Sequence, residues 1–332
     1  MDFSTKVPII QATHPITQQH KLLLIGSCFT ENIGFLLQYY KFNTVINPFG
    51  IVFNPISIIK SLEQIIDKKV YATNDVFEHN GIFSSWQHHS SFNDTQAERL
   101  ITRINQSIEN AHQFLKEANS LVLTFGSAYT YHLKPGYETV SNCHKVLANK
   151  FIKKLYDPSE VFDAFQPLYY KLKFFNPNLQ LIFTVSPVRH LKDGIHENNL
   201  SKASLLLAIE KMVGTYADAS YFPAYEIVMD ELRDYRFFKE DMAHPNEQAV
   251  KYVWEKFAET YFTTPTRELC KEIDGVKKML QHRPMFPETD AFTAFIEKAT
   301  HQLKAVIEKL PNHSWDEEWD CVQQLQHYQK RI

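Results

Sequence analysis

Three short apolar runs punctuate the chain: KLLLIG (Lys21 to Gly26), SLVLTFG (Ser120 to Gly126) and LQLIFTVSP (Leu179 to Pro187). Each is almost continuously hydrophobic and closes on glycine or proline, the pattern of a strand buried on both faces of a parallel sheet. Between them apolar positions recur at helical spacing, at Ile33, Leu36, Leu37 and Tyr40, then at Ile58, Ile59, Leu62, Ile65 and Ile66. Strand and helix patterns in alternation predict a doubly wound α/β sheet. In DVFEHNGIFSSW, Asn80-Gly81 separates two β-compatible stretches and predicts a type I′ hairpin, part of an insertion near residues 71–95. Beyond Phe262, TTPTREL offers a proline and Thr266 as an N-cap, and the pattern stays mostly helical to Ile332. The expected organisation is one α/β domain over residues 1–262 followed by a helical extension over residues 263–332.

Composition removes several classes of function. Of 332 residues, 44% are hydrophobic and 22% charged, and no apolar run reaches the ~18 residues of a membrane span. The opening MDFSTKVPII lacks the basic start, long apolar stretch and cleavage site of a secretory signal, so a cytoplasmic protein without a membrane partner is expected. A net charge of −3 gives no excess of cations for nucleic-acid phosphates. The four cysteines, Cys28, Cys143, Cys270 and Cys321, are scattered and form no CxxC pair, which argues against a structural zinc or a disulfide framework. No metal or other cofactor is called for. Only nine glycines occur, and Gly26, Gly126 and Gly50 fall at the ends of apolar runs or of the turn NPFG.

If the first strand ends at Gly26, Ser27 occupies the C-terminal edge of the sheet, where doubly wound folds bind ligands. The following residues open a helix, whose unpaired N–H groups and positive dipole end favour an anionic oxygen nearby. Ser27 fits two roles, a helix cap and an acyl-transfer nucleophile. DMAHPN then sets Asp241 and His244 three residues apart, with Pro245 fit for a first helical turn and Asn246 able to cap. A serine hydroxyl needs a histidine to take its proton, and that histidine needs an acid to fix its tautomer.

IGSCFTENIG, INPFGIVFNPISI, TFGSAYTY, NCHK, SPVRHLKDG, SKASLL, YFPAYEIVMDELRDYRF and DMAHPN occur in this order. Together they resemble the GSCFA family, a branch of the SGNH/GDSL hydrolase-like superfamily, from about residue 20 to 260. The resemblance implies a three-layer, mainly parallel sheet of flavodoxin-like type. It also implies a serine hydrolase acting on small-molecule or carbohydrate esters, with Ser27 as nucleophile, His244 as general base and Asp241 as its orienting acid. An O-acyltransferase with the same triad and a non-catalytic ligand-binding protein are the alternatives.

One departure from the superfamily pattern concerns the oxyanion. Where its members carry GxND, this chain has GSAY, with Ala128 in place of the asparagine. The backbone N–H groups of Ser27 and Gly50 are candidate donors, and Asn142, Ser127 and His144 are candidate side-chain substitutes, Asn142 first because a neutral amide donates without titrating. Cys28 is a competing nucleophile beside Ser27. Arg189 and His190 in SPVRH fit the pocket wall, holding a carboxylate or sugar hydroxyls, or an ion pair with the acidic YEIVMDELRD. His88 and His89, with Trp86 and Phe92, could form an aromatic wall; on a strand, adjacent histidines would face opposite ways and could not share a metal.

Overall fold

The computed structural model describes residues 4–282 and 285–330. Its centre is a five-stranded, all-parallel sheet. In chain order the strands among the described residues are β1 (Lys21–Gly26), β2 (Asn43–Ile46), β3 (Phe77–His79), β4 (Ile82–Ser84), β5 (Ser120–Phe125), β6 (Tyr129–Leu133), β7 (Thr139–Val140), β8 (Phe151–Leu155), β9 (Gln180–Val185) and β10 (Ala219–Tyr221). The main sheet runs β10-β9-β5-β1-β2, every neighbouring pair parallel. Counting only its own strands, this is the flavodoxin-like order 2-1-3-4-5, and the direction of winding reverses between β1 and β5. Residues that follow these two strands therefore flank the crevice where such sheets bind ligands.

Apolar alternation along each strand fills two cores. Leu23, Ile25, Leu121, Leu123, Phe125, Leu181, Phe183 and Val185 face one side, whereas Leu22, Leu24, Val122 and Ile182 face the other. Helices cover both faces, which makes the domain three-layered. On the first side lie α2 (Pro55–Ile66), α3 (Ala97–Glu117), α4 (Pro158–Phe175) and α5 (Ile195–Thr215); on the second, α1 (Cys28–Tyr39) and α7 (Glu247–Tyr261), with the short α6 (Ala224–Glu226) between them in sequence. The hairpin forms as read: β3 and β4 pair antiparallel around Asn80 and Gly81, whose φ angles of 54° and 76° suit a type I′ turn. Among the described residues no helix is long and apolar enough to cross a membrane.

The C-terminal helices are α8 (Thr264–Leu280), α9 (Asp290–Lys309) and α10 (Asp316–Lys330). They bury a third cluster that includes Ile273, Val276, Phe292, Leu303 and Trp315. The cap of α8 is Thr263, whose side chain accepts the Thr266 N–H, and not Thr266 as the sequence suggested. Pro265 lies within the first two helical positions, where its missing N–H has no cost, so the helix starts three residues earlier.

Candidate active site

Gly26 ends β1 where no side chain fits: a Cβ there would lie 2.4 Å from the Thr124 carbonyl oxygen. The Gly26 N–H donates to Asn47 Oδ1 at 2.9 Å, which pins the turn to the loop after β2. Ser27 follows, 3% exposed, and its Oγ accepts the Phe29 N–H at 3.2 Å as N-cap of α1. Cys28 is the first helical residue and partly exposed. Burial, and then the Glu31 carboxylate, push its thiol above the ordinary range, so it is a poorer nucleophile than a free cysteine.

The Asp241 and His244 side chains meet in one loop. His244 Nδ1–H donates to Asp241 Oδ2 at 2.7 Å, and Asp241 Oδ1 accepts the backbone N–H groups of Ala243 at 2.9 Å and His244 at 3.0 Å. These bonds, the backbone one from His244 foremost, bring the Asp241 carboxyl down to about 2. Asn246 caps α7 by accepting the Ala249 N–H, and Pro245 stands just before that cap rather than inside the first turn. The loop is fastened to the sheet edge, because the Arg189 N–H donates to the Ala243 carbonyl at 3.1 Å. Ser27 after β1 and Arg189 after β9 thus lie at the same edge, on either side of β5. Among the described residues no hydrogen bond joins His244 to Ser27 Oγ; such bonds commonly tighten only when substrate is bound.

His190 lies between these groups. Its ring stacks on Phe53 at 4.9 Å, its Nε2 is buried without a hydrogen-bond partner among the described residues, and its backbone N–H donates to Asn198 Oδ1. Burial, and then Lys202 and His244 nearby, pull it down to about 4, so it is neutral at neutral pH. Arg189 forms no ion pair with the acidic stretch among the described residues. Its guanidinium lies over Phe238 at 4.7 Å and Tyr235 at 5.4 Å, with Met229 Sδ at 4.0 Å.

Several suggested donors are occupied. The Gly50 N–H donates to the Asn47 carbonyl at 2.7 Å, closing a turn in which Gly50 has φ 69°, so it is not available to an oxyanion. Asn142 Oδ1 accepts the His144 N–H at 2.9 Å and its backbone N–H donates to the Trp86 carbonyl; among the described residues its amide has no bond toward Ser27. His144 Nε2 donates to the Ser85 carbonyl at 2.8 Å. Ser127 Oγ is turned toward α5, 3.2 Å from Ser201 Oγ. Ala128 is fully buried and its N–H goes to Ser201 Oγ. His88 and His89 are not on a strand but in the turn that follows β4. His88 stacks on Phe49 at 4.3 Å in the core, while His89 packs against Gly50 near the site.

A groove of about 950 Å³ runs between α1, α7 and α8, lined by Phe35, Tyr39, Tyr40, Trp254, Pro245 and Asn246 among others. It borders the Asp241–His244 loop, but neither Ser27 nor His244 is among its lining residues.

With this geometry in hand, the comparison with known families is decisive on one point. The GSCFA family model matches residues 21–257. The chain belongs to the GSCFA family. Residues 273–327 match a second model, the C-terminal domain of GSCFA domain proteins. No curated protein sequence matches the chain. Among solved structures, a carbohydrate esterase family 3 protein from Talaromyces cellulolyticus is similar at 7% identity, covering 76% of this chain and 99% of its own, with a TM-score of 0.37. An acetyl xylan esterase, Est2A, from the rumen bacterium Butyrivibrio proteoclasticus is similar at 10% identity, covering 74% of this chain and 64% of its own, with a TM-score of 0.37.

Sequence reasoning passes over two residues of this GSCFA domain. Asn47, at φ 46°, holds the Gly26 turn. Lys202, in SKASLL, is 1% exposed and donates from Nζ to the carbonyls of Gly126 and Ser186, both at 2.6 Å. Its signal in the sequence is positional: it occupies the apolar stripe of α5 shared with Leu205, Ile209 and Met212.

Proposed function

We propose that this protein cleaves ester bonds through an acyl-serine intermediate formed on Ser27. The observation that carries the reading is the Asp241–His244 pair, 2.7 Å apart, on a loop fastened to the sheet edge at which Ser27 follows β1. In the first step Ser27 Oγ bonds to the acyl carbon, the carbonyl π electrons move to oxygen, and the Oγ proton passes to His244 Nε2. Asp241 holds Nδ1–H and stabilises the resulting imidazolium. Collapse re-forms the carbonyl and breaks the bond to the alcohol, which leaves with the proton from His244. Water then attacks the acyl-serine by the same path in reverse and releases the acid and free Ser27.

The Ser27 backbone N–H and the positive end of α1 serve the oxyanion. Small-molecule or carbohydrate esters are the proposed substrates, without nucleic acid or membrane as partner. The test is labelling with a fluorophosphonate, mapped by mass spectrometry. Rapid labelling at Ser27 that is lost in His244→Ala supports the reading, because a serine without its base reacts slowly. Absence of labelling at Ser27 in the wild type refutes it.

A further inference from the structure

Lys202 shares one face of α5 with Leu205, Ile209 and Met212. It is on the buried stripe of α5, wholly enclosed, and no carboxylate pairs with it among the described residues. Burying a cation without a counter-charge is strongly unfavourable. Its two recorded hydrogen bonds go to main-chain carbonyls at the C-terminal ends of β5 and β9. An ammonium has three N–H donors, so two of the three are used in that bridge. Those carbonyls belong to Gly126, the start of the GSAY loop that lacks the expected asparagine, and Ser186, which leads to Arg189 and His190.

We propose that Lys202 is the cationic stabiliser of the site, its ammonium anchored beside the turn that carries Ser27 so as to oppose the negative charge that forms on the substrate's carbonyl oxygen. The proposal rests on the acyl-serine reading above. It accounts for the missing asparagine: the donor that Ala128 cannot provide is replaced by a charge held at the ends of β5 and β9. Lys202 acts through its field and its hold on the two strand ends, as a positioning residue. Preorganised charge in a water-poor site is effective because it needs no reorganisation as the reaction proceeds.

The groups that face Lys202 define how it can be detected. From α1 there is Cys28, from the loop after β9 there is His190, and from α6 there is Tyr225, whose ring centre is 5.9 Å from Nζ. Beyond them, His244 and Asp193 bear on His190, and Arg189, Asp230 and Glu226 bear on Tyr225. Burial raises both the Cys28 thiol and the Tyr225 phenol, and His190 is already neutral. Burial pulls Lys202 itself down to about 7. A loss of activity between about pH 7 and 9 is then the signature of Lys202 giving up its proton.

The experiment compares the full-length wild type with Lys202→Met, which keeps the chain length without donors, and Lys202→Gln, which keeps N–H donors without charge. The probes are p-nitrophenyl acetate hydrolysis, corrected for the uncatalysed rate, and fluorophosphonate labelling of Ser27. In variants that melt cooperatively, kcat is expected to fall about a hundredfold with KM little changed, and the alkaline limb of the wild type to disappear. Folded variants with wild-type kcat and wild-type labelling rates overturn the proposal while leaving the acyl-serine reading intact. If neither variant folds, the wild-type profile decides: an alkaline limb in kcat with chemistry limiting supports the proposal, and a flat profile overturns it. A wild type that neither hydrolyses the probe nor labels at Ser27 ends the acyl-serine reading, and the proposal with it.

Discussion

His244 Nδ1 and Asp241 Oδ2 are 2.7 Å apart, and the other carboxylate oxygen of Asp241 accepts two backbone N–H groups of the same loop. The carboxylate therefore has two separable duties, shaping the loop and orienting the imidazole. Asp241→Asn keeps an oxygen for the loop but turns an amide N–H₂ toward Nδ1, which then presents its lone pair and leaves Nε2 protonated. The variant is expected to fold normally and to lose about a thousandfold or more of its esterase kcat. Retention of wild-type turnover would remove Asp241 and His244 from the chemistry.

Ser27 caps α1 whether or not it reacts, so an alanine variant would confuse two effects. Glycine is nearly as good a cap, costing only a few tenths of a kcal/mol. Ser27→Gly is expected to melt close to the wild type and to retain less than about a thousandth of its activity. Cys28→Ala is expected to lose little, in keeping with a thiol whose burial holds it protonated. A dead Cys28→Ala enzyme beside an active Ser27→Gly enzyme would reverse the assignment of the nucleophile.

The elements that the sequence displays most clearly are those in which a single physical demand governs several consecutive residues. KLLLIG, SLVLTF and QLIFTV are buried on both faces and so read as unbroken apolar runs. The Asn80-Gly81 turn needs two positive φ angles and carries residues that tolerate them. By contrast, the edge strand NTVI of β2 is only partly covered and carries a weak pattern, and β10 has just three residues. In the antiparallel group of β6, β7 and β8, β7 has only two residues, and β8 reaches β6 by a pairing of some twenty residues' separation that no local spacing announces. At the site, the serine and the Asp241–His244 loop are legible because their spacing is local. Lys202 is not, because a lysine in a helical segment ordinarily points to solvent, and only its place among Leu205, Ile209 and Met212 hints otherwise.

Acid should destabilise the fold through histidines held neutral. Burial draws His88 down to about 3 and His190, with help from Lys202 and His244, to about 4. In the unfolded chain both titrate near ~6.5, so between that value and the folded ones the unfolded state binds more protons. Their contribution is present above about pH 6.5 and declines as pH falls toward about 4 for His190 and about 3 for His88. Thermal melts at steps across this range are expected to show the decline, and His88→Phe, which retains an aromatic ring against Phe49, is expected to make it shallower. An unchanged slope in that variant would show that His88 takes up its proton without unfolding.

The last prediction concerns the link between the C-terminal helices and α1. Glu318 on α10 is 5% exposed at its side chain and pairs with Lys41 at 2.8 Å and Lys277 at 3.0 Å, themselves only 12% and 11% exposed. Lys41 follows α1 directly and also donates to the Ser314 carbonyl, with its ammonium 4.7 Å from the centre of the Trp315 ring. Burial disfavours the Glu318 charge, but the bonds from Lys41 and Lys277 outweigh it and hold the carboxyl below its usual range. Glu318→Gln removes the anion that pairs with both enclosed cations, and breaking such a buried arrangement costs about 3 kcal/mol or more. Denaturant titration is expected to show a loss of that order at neutral pH. The loss should shrink as the wild-type carboxylate itself protonates in acid, since a depressed carboxyl contributes stability above its unfolded value and loses it as pH falls through the folded one. Because Ser27 lies at the opposite end of α1, fourteen residues before Lys41, kcat of the folded fraction should stay within about twofold of wild type. A neutral effect on unfolding would mean that the lysines find water when Glu318 is neutralised, and that the other contacts between the C-terminal helices and α1, the hydrogen bond from Tyr39 to Asp274 among them, suffice.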